Sequence, residues 1–388
     1  MVPSEHTKLE LIQAQVSFIP EGWKLKKVGT TLKIRNNLRK PISQEVRSTI
    51  QGEYPYYGPT RIQDYISEYE QDGVFALIGE DGDHFLKYST MQQTQFISGK
   101  CTVNNHAHIL ESTTKCDSEW FYIFFKHRNI TNFLSRQGAG RFKLNKATLE
   151  KLPMLVPPIP EQRKIAKILS TWDKAISTTE RLIDNSKQQK NALMQQLLTG
   201  KKRLLDEAGK PFEGEWESKI VSDIAIIKKG KALSSKDLKP GEYPVVAGGK
   251  TSPYKHSEYT HEDVITVSAS GAYAGYVAYF KQKIWASDCS VVKERKGFNL
   301  QFIFQYLQLN QTRIYSFQSG GAQPHIYPKD IEVLKVKVPS FKEQQKIASV
   351  LASADKEIEL LEQQLADLKQ EKKALMQQLI TGKRRVET

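Results

Sequence analysis

The chain has 388 residues, too many for one ordinary domain and enough for two or three. Its 57 Lys and Arg against 43 Asp and Glu leave a formal charge of +14, which points to a polyanion, and 39% apolar residues can build real cores, which excludes a disordered basic tail. No apolar run approaches the ~18–20 residues of a membrane span, the start MVPSEHTKLELIQAQVSF lacks a signal-peptide pattern, and Cys101, Cys116 and Cys289 show no CxxC spacing, so the chain reads as soluble, cytoplasmic and reduced, with no membrane partner.

Residues 1–17 form a lead-in with no counterpart elsewhere, and a first globular domain is expected over 18–158. In it Val74–Ile78 reads as a strand and Phe121–Phe125 as a helix. A spacer helix follows over 159–200: Pro160 precedes a stretch without Gly or Pro from Glu161 to Thr199, and Gly200 ends it. A second globular domain spans 201–339, with strands at Val264–Val267, Tyr276–Phe280 and Cys289–Val292 and a helix at Phe302–Leu309. A second spacer helix over 340–382 and a basic tail over 383–388 complete the chain. Short apolar runs between Gly-rich turns make each globule a mixed α/β (α+β) domain.

The chain also repeats itself. Shifted by 182 residues, 161–200 falls on 343–382 with 21 identities in 40 positions and no gap. The second copy carries Ile347, Leu351, Ala354, Ile358, Leu361, Leu365, Leu368, Lys372, Leu375 and Leu379 at alternating spacings of four and three, the seam of a coiled coil. The first keeps that frame at Ile165, Leu169, Trp172, Ile176, Ile183, Leu193 and Leu197, and interrupts it with Thr179, Ser186 and Lys190, which are either register devices or tolerated defects. Each helix would be ~57–60 Å long. Globule, helix, globule, helix in that order requires the helices to pair antiparallel, with a globule at each end and a pseudo-two-fold axis between them.

For chemistry the sequence offers little. It lacks the GxxxxGK[ST] phosphate loop and the NPPY or DPPY run of an amino-methyltransferase. Asp288 with Glu294-Arg295-Lys296 has the spacing of a metal-dependent nuclease, against the ordinary reading of solvated strand-end charges. His106 and His108 could offer two imidazoles to a metal, against the ordinary reading of structural or nucleic-acid-facing histidines. No catalytic set and no metal site is assigned.

What remains is binding. Both globules carry Gly-rich loops studded with cations, aromatics and amides, suited to phosphate and base-edge contact. The candidate DNA-binding residues are Tyr57, Gly58, Arg61, Gly82, Arg141 and Lys143 in the first globule, and Gly248, Gly249, Lys250, Ser270, Gly271, Tyr273, Gln323 and His325 in the second. Two such domains related by a dyad suit double-stranded DNA with two half-sites ~34 Å or a multiple apart. Because the loops differ between copies, the half-sites should differ too.

The run Val156-Pro157-Pro158-Ile159-Pro160-Glu161-Gln162-Arg163-Lys164-Ile165-Ala166 and its copy from Val338 to Ala348, each helix ending in Leu-Met-Gln-Gln-Leu-Leu/Ile-Thr-Gly-Lys, resemble the DNA specificity subunit of type I restriction-modification systems over almost the whole chain. The resemblance implies two target-recognition domains, each reading one half of an asymmetric bipartite site. It implies helices that set the spacing and dock two modification subunits, which use S-adenosylmethionine to methylate adenine N6. Restriction subunits using ATP and Mg would join them, and this chain itself would have no cofactor and no catalysis. Two features depart from the pattern: Ser340-Phe341 replaces a proline stretch, and the lead-in is either a tail or a modification-subunit contact. The competing readings are a coiled-coil scaffold binding DNA without sequence preference, and the nuclease.

Overall fold

The computed structural model describes residues 7–137, 141–250 and 253–387, and both long helices are divided between two units of the chain. Unit 1 takes Met1–Ser177 and Ala366–Thr388; unit 2 takes Thr178–Leu365.

In unit 1 the order is α1 (Lys8–Gln13), β1 (Lys24–Lys27), β2 (Lys33–Ile34), α2 (Gln44–Thr49), β3 (Gln51–Tyr57), β4 (Ile62–Ile66), β5 (Gln71–Gly79), β6 (Thr94–Val103), β7 (Ala107–Glu111), α3 (Ser118–Phe125), β8 (Ser135–Gln137), β9 (Arg141–Lys143), α4 (Lys146–Lys151), β10 (Pro153–Val156) and the first part of α5 (Ile159–Leu197). Among the described residues six strands form a mixed sheet in the order β2-β7-β5-β6-β3-β4, parallel only between β3 and β6. Helix α3 is apolar almost all round, so it buries Trp120, Phe121, Phe124 and Phe125 fully against this sheet and the helix ends. Each such side chain contributes about 1.5–3 kcal/mol.

Unit 2 continues with β11 (Glu217–Ile220), α6 (Val221–Ile224), β12 (Ala225–Lys229), β13 (Tyr243–Val246), β14 (Lys255–His256), β15 (Val264–Ser268), β16 (Val277–Phe280), β17 (Trp285–Ala286), β18 (Cys289–Glu294), α7 (Leu300–Leu309), α8 (Gln311–Tyr315), α9 (Pro328–Glu332), β19 (Lys335–Val338) and α10 (Phe341–Ile380). Its sheets run β12-β18-β15-β16 and β14-β13-β17, the latter parallel between β13 and β17. The repeat survives in the diverged globules. The pair β1–β10 corresponds to β11–β19, α3 to α7, and the parallel contact Tyr56↔Thr102 to Val245↔Trp285. Tyr54 meets Tyr69 edge-on at 5.0 Å, and Tyr243 meets Tyr259 at 5.3 Å.

Helices α5 and α10 begin and end alike. Pro158 O accepts from Gln162 N–H at 3.0 Å, and Ser340 O accepts from Gln344 N–H at 3.0 Å. Ser340 Oγ also accepts from Glu343 N–H at 3.4 Å, so this serine caps the helix where the other copy uses a proline. Gly200 (φ +72°) and Gly382 (φ +66°) adopt the left-handed conformation that glycine alone tolerates freely, and Lys202 N and Arg384 N then close on the Gln196 and Gln378 carbonyls at 3.1 and 3.2 Å.

That reversal delivers an arginine to the first turn of the other long helix. In unit 2 Arg203 donates from Nε and Nη2 to both oxygens of Glu343 at 2.6 and 2.7 Å; in unit 1 Arg385 does the same to Glu161 at 2.8 and 2.9 Å. Trp216 and Trp23 lie beneath the guanidinium groups, 5.9 and 5.7 Å away, and Trp23 Nε1 also donates to Glu161 at 2.8 Å. The next residues, Gln162 and Gln344, accept from the N–H of the N-cap residues Asp117 and Asn299 at 2.9 and 3.0 Å, and donate to the Pro157 and Pro339 carbonyls at 2.8 and 2.9 Å. The Glu-Gln pair therefore bolts each globule to its helices.

Within each unit the helices run antiparallel. Unit 1 pairs Asp173 with Lys372 and Glu161 with Arg385; unit 2 pairs Lys187 with Glu362, Lys190 with Asp355 and Ser186 with Glu357. The seam positions fall into two groups. Ile165, Leu169 and Leu379 are buried in the core of unit 1, and Leu197, Ile347 and Leu351 in that of unit 2, with Leu193 and Leu375 half-buried beside them. Ile183 and Ile358 are also buried, whereas Trp172, Ile176, Leu361, Leu365 and Leu368 are half-buried. The helix ends thus belong to the globular cores. So do the flanking residues: Ala14 and Val16 of the lead-in are core residues, and Val386 packs on the same core. Arg128 holds the Ala14 carbonyl, and Arg385 holds Glu161.

Replacing Glu343, fully buried, with alanine strands Arg203 and is expected to destabilise the protein by about 3–5 kcal/mol, read by calorimetry; unchanged melting would contradict the clamp. At Glu161 burial pushes the carboxyl up, but the hydrogen bonds from Arg385, Trp23 and the Val386 backbone outweigh it and leave the carboxyl below its ordinary value of 4.5. Its contribution is therefore full above the unfolded value and lost as pH falls through the lowered one. Melting curves of Glu161→Gln should accordingly converge on those of the unaltered protein below pH 4.5.

Candidate nucleic-acid interface

In unit 2 the loops following β13 and β15 and the segment between α8 and α9 meet at one place. Gly271 N–H donates to Pro324 O at 3.0 Å, Ile326 N–H to Ala269 O at 2.9 Å, and His325 N–H to Ser319 O at 2.8 Å. Gly248 backs directly on this knot: a Cβ there would lie 2.6 Å from Ser270 O and 3.1 Å from Asp288 Oδ2. Ser270 Oγ donates to Asp288. Gly249 makes the turn through its bond to Ala247 O at 2.7 Å, and Lys250 Nζ lies over the rings of Tyr273 and Tyr276 at 5.1 and 5.4 Å. Tyr273 and Gln323 are exposed, and His325 stacks on Tyr327 at 19° and 6.3 Å. All eight sequence-derived residues of the second globule are therefore neighbours around this cluster. Beside them opens a cleft of about 570 Å³ lined by Lys229, Asp288, His325 and Tyr327. Sequence reasoning missed Lys229, for which the run Lys228-Lys229-Gly230-Lys231 was the available signal.

Unit 1 gathers its loops differently. The β3–β4 turn is closed by Gly58 N–H to Arg61 O at 2.9 Å, and its Pro59 O would lie 3.2 Å from a Cβ on Gly79. Gly82 N–H donates to Phe142 O at 3.2 Å and Leu144 N–H to Glu80 O at 2.7 Å, which ties the 79–84 loop to β9. Lys143 pairs with Glu80 at 3.4 Å, and Glu80 also takes Arg39 at 2.6 Å. The turn carrying Gly58 and exposed Arg61 thus adjoins the loop carrying Gly82 and Lys143. Tyr57 has another role: it packs against the cluster of Phe75, Leu77 and Ile109, and burial raises its phenol pKa. The Arg141 side chain lies outside the described residues, as does the backbone of 138–140.

The two metal-type readings are not met by the geometry. Asp288 and Glu294 stand at opposite ends of β18, about 20 Å apart at ~3.3 Å per residue, so they cannot share a metal. His108 is fully buried with both nitrogens engaged, Nδ1 by Asn36 Nδ2 at 2.8 Å and Nε2 by Leu144 O at 2.6 Å, so neither is free for a metal; His106 pairs with Asp81 at 3.0 Å. Among the described residues no group of three His, Cys, Asp or Glu could hold a metal, and no helix is long and apolar enough to cross a membrane. The three cysteines are buried; burial pushes the Cys101 thiol to about 11 and the Cys289 thiol to about 12, which leaves them as packing groups.

Two units, each with its own loop cluster of cations, aromatics and close-packed glycines, define a tandem two-domain protein. The type I restriction modification DNA specificity domain matches residues 20–186 and again 213–370. A putative type I restriction enzyme specificity subunit of Haemophilus influenzae is 27% identical over 82% of this chain and 84% of its own length. A putative type I restriction enzyme specificity subunit of Methanocaldococcus jannaschii is 24% identical over 97% of both chains. The crystal structure of a type I restriction-modification S subunit from M. genitalium shares the fold, with a TM-score of 0.70 at 16% identity over 96% of this chain and 98% of that one. The chain belongs to the family of type I restriction-modification DNA specificity subunits.

His84 lies at the base of the 79–84 loop, its Nε2 buried without a hydrogen-bond partner among the described residues, and burial holds its pKa down to about 4. The neutral ring is thus favoured on folding, so its contribution is full above the ordinary 6.5 and declines as pH falls toward 4. Imidazole shifts followed by NMR should show no His84 titration near 6.5; a midpoint there would contradict the burial.

Proposed function

We propose that this chain reads an asymmetric bipartite DNA site, the loop cluster of unit 1 contacting one half and that of unit 2 the other. The observation that carries the reading is the contrast within the repeat: the Glu-Gln bolt, the arginine clamp and the helix ends are duplicated, while the loops above them differ in sequence and arrangement. A duplicated scaffold with unlike loops is what two unlike half-sites require. Lys250 over Tyr273, with Ser270, Gln323 and His325 nearby, offers a phosphate contact, an aromatic face and base-edge donors in one place.

Helices α5 and α10 set the spacing between half-sites and dock two modification subunits, which bind S-adenosylmethionine and methylate adenine N6 in each half. Restriction subunits, with ATP and Mg, join the same assembly to cleave unmethylated DNA. The chemistry lies on those partners, and this chain supplies the address.

Co-expression with the neighbouring modification subunit, followed by genome-wide mapping of N6-methyladenine, is expected to reveal a split motif of two short unlike halves with a constant gap. Scattered or absent methylation, with DNA still bound, would instead indicate a scaffold without sequence preference. Exchanging residues 206–340 for those of another specificity subunit should change one half of the motif and leave the other intact. Lys250→Ala should weaken binding of the cognate duplex about 5–30-fold and lower the slope of log K against log salt by about one; an unaltered slope would remove Lys250 from the phosphate contacts.

A further inference from the structure

The repeat supplies an internal control for one buried charge. Under the 182-residue shift Lys372 corresponds to Lys190, Asp173 to Asp355, Ile123 to Gln305 and Lys126 to Gln308. In unit 2 the set is balanced: Lys190, buried, pairs with Asp355 and donates to Gln308 Oε1 at 3.0 Å, while Gln305 Nε2 donates to the second Asp355 oxygen at 2.7 Å. In unit 1 the pair Lys372–Asp173 remains, but both glutamines are gone. Ile123 offers no polar group, and Lys126 adds a second cation, held over the Tyr122 ring at 4.9 Å.

A further cation sits beside them. Arg128 is only 8% exposed; its Nη2 donates to the neutral carbonyls of Ala14 and Gln15, and its guanidinium carbon lies over the Phe124 ring, 3.9 Å from the centroid. Burial lowers its pKa to about 10, so it stays charged at neutral pH, yet among the described residues no carboxylate meets it. Lys126, Arg128, Lys372 and Lys373 all line one cleft of about 740 Å³ in unit 1, and Asp173 is the only carboxylate among its described lining residues. Ile176, Met376 and Ile380 supply apolar walls. Unit 2 answers its buried cation internally, whereas unit 1 leaves an excess of positive charge in an apolar-walled cleft.

We propose that this cleft is the docking site for an acidic segment of a modification subunit, a carboxylate entering between Lys126, Arg128 and Lys373 with apolar side chains flanking it. The inference rests on the specificity-subunit reading above. The planar fork of an arginine already stacked on an aromatic ring suits a carboxylate, and the apolar walls suit a protein segment better than a DNA backbone, which has phosphates but no apolar side chains to place on them. This acidic contact would be made at one end of the repeat only, and so by one of the two modification subunits, because Gln305, Gln308 and Asp355 already satisfy the equivalent lysine in unit 2.

The test uses the full chain with Lys126→Glu and Lys373→Glu, rim changes that spare the buried Arg128, and as control Asn191→Glu, the unit 2 counterpart of Lys373. Calorimetric titration with the purified modification subunit should show the Kd of one of its two binding steps rising at least ten-fold for both rim variants and less than two-fold for the control, with the free chain's affinity for duplex DNA unchanged. Photo-crosslinking from position 376 should then capture an Asp- or Glu-bearing peptide of that subunit. Unchanged Kd for both rim variants overturns the proposal. Loss of duplex binding with subunit binding intact also overturns it and assigns the cleft to phosphate. A chain that binds no modification subunit even when unaltered overturns the specificity-subunit reading itself, and this inference with it.

Discussion

A glutamate buried at the first turn of each long helix, clamped by an arginine that arrives from the end of the other, is the contact on which the architecture depends. A carboxylate that is 0% exposed at Glu343 is tolerable only with a guanidinium bound to both of its oxygens. The arginine reaches it only because the preceding glycine turns the chain through the left-handed region. Segments distant in sequence are thereby forced together: residues 203 and 343 in one unit, 161 and 385 in the other. The residue following α5 completes unit 2, and the residues following α10 complete unit 1. The neighbouring glutamine extends the constraint to the globule by holding the N-cap of its buried aromatic helix.

Above this scaffold the two units are free to differ. Cores tolerate little change because each buried side chain touches many others, whereas loops at a sheet end answer only to their own turns and hydrogen bonds. Unit 2 knots three loops around Ser270 and His325; unit 1 joins a tight turn to an ion-paired loop around Glu80. One architecture can therefore carry two unlike loop clusters. The same freedom reached a buried position, where Gln305 and Gln308 of one unit stand against Ile123 and Lys126 of the other, leaving one buried pair balanced and its counterpart among surplus cations.

Much of this was legible in the residues. The long helices, their caps and the seam follow from the absence of Gly and Pro, from the glycine after each run and from the three–four spacing, all local properties of the chain. The strands at Val74–Ile78 and Val264–Val267 and the helices at Phe121–Phe125 and Phe302–Leu309 follow equally from short apolar runs. Gly-rich loops with cations stood out in both copies, and in the second their residues do gather at one place.

What only the tertiary structure decided is which of several chemically similar residues meet. Tyr57 and Arg61 share one turn, yet the first faces the core and the second solvent; Asp288 and Glu294 have a nuclease-like spacing, yet a strand holds them apart; His108 has both nitrogens engaged by residues 36 and 144. The polar seam residue Lys190 reads from sequence as either a device or a defect, and only the fold supplies its partners Asp355 and Gln308 within unit 2. The sequence by itself determined period, caps and repeat, because these arise between residues a few positions apart. Burial and pairing of charge were decided by the fold, because they depend on groups a hundred or more residues away whose desolvation is set only once the chain has packed.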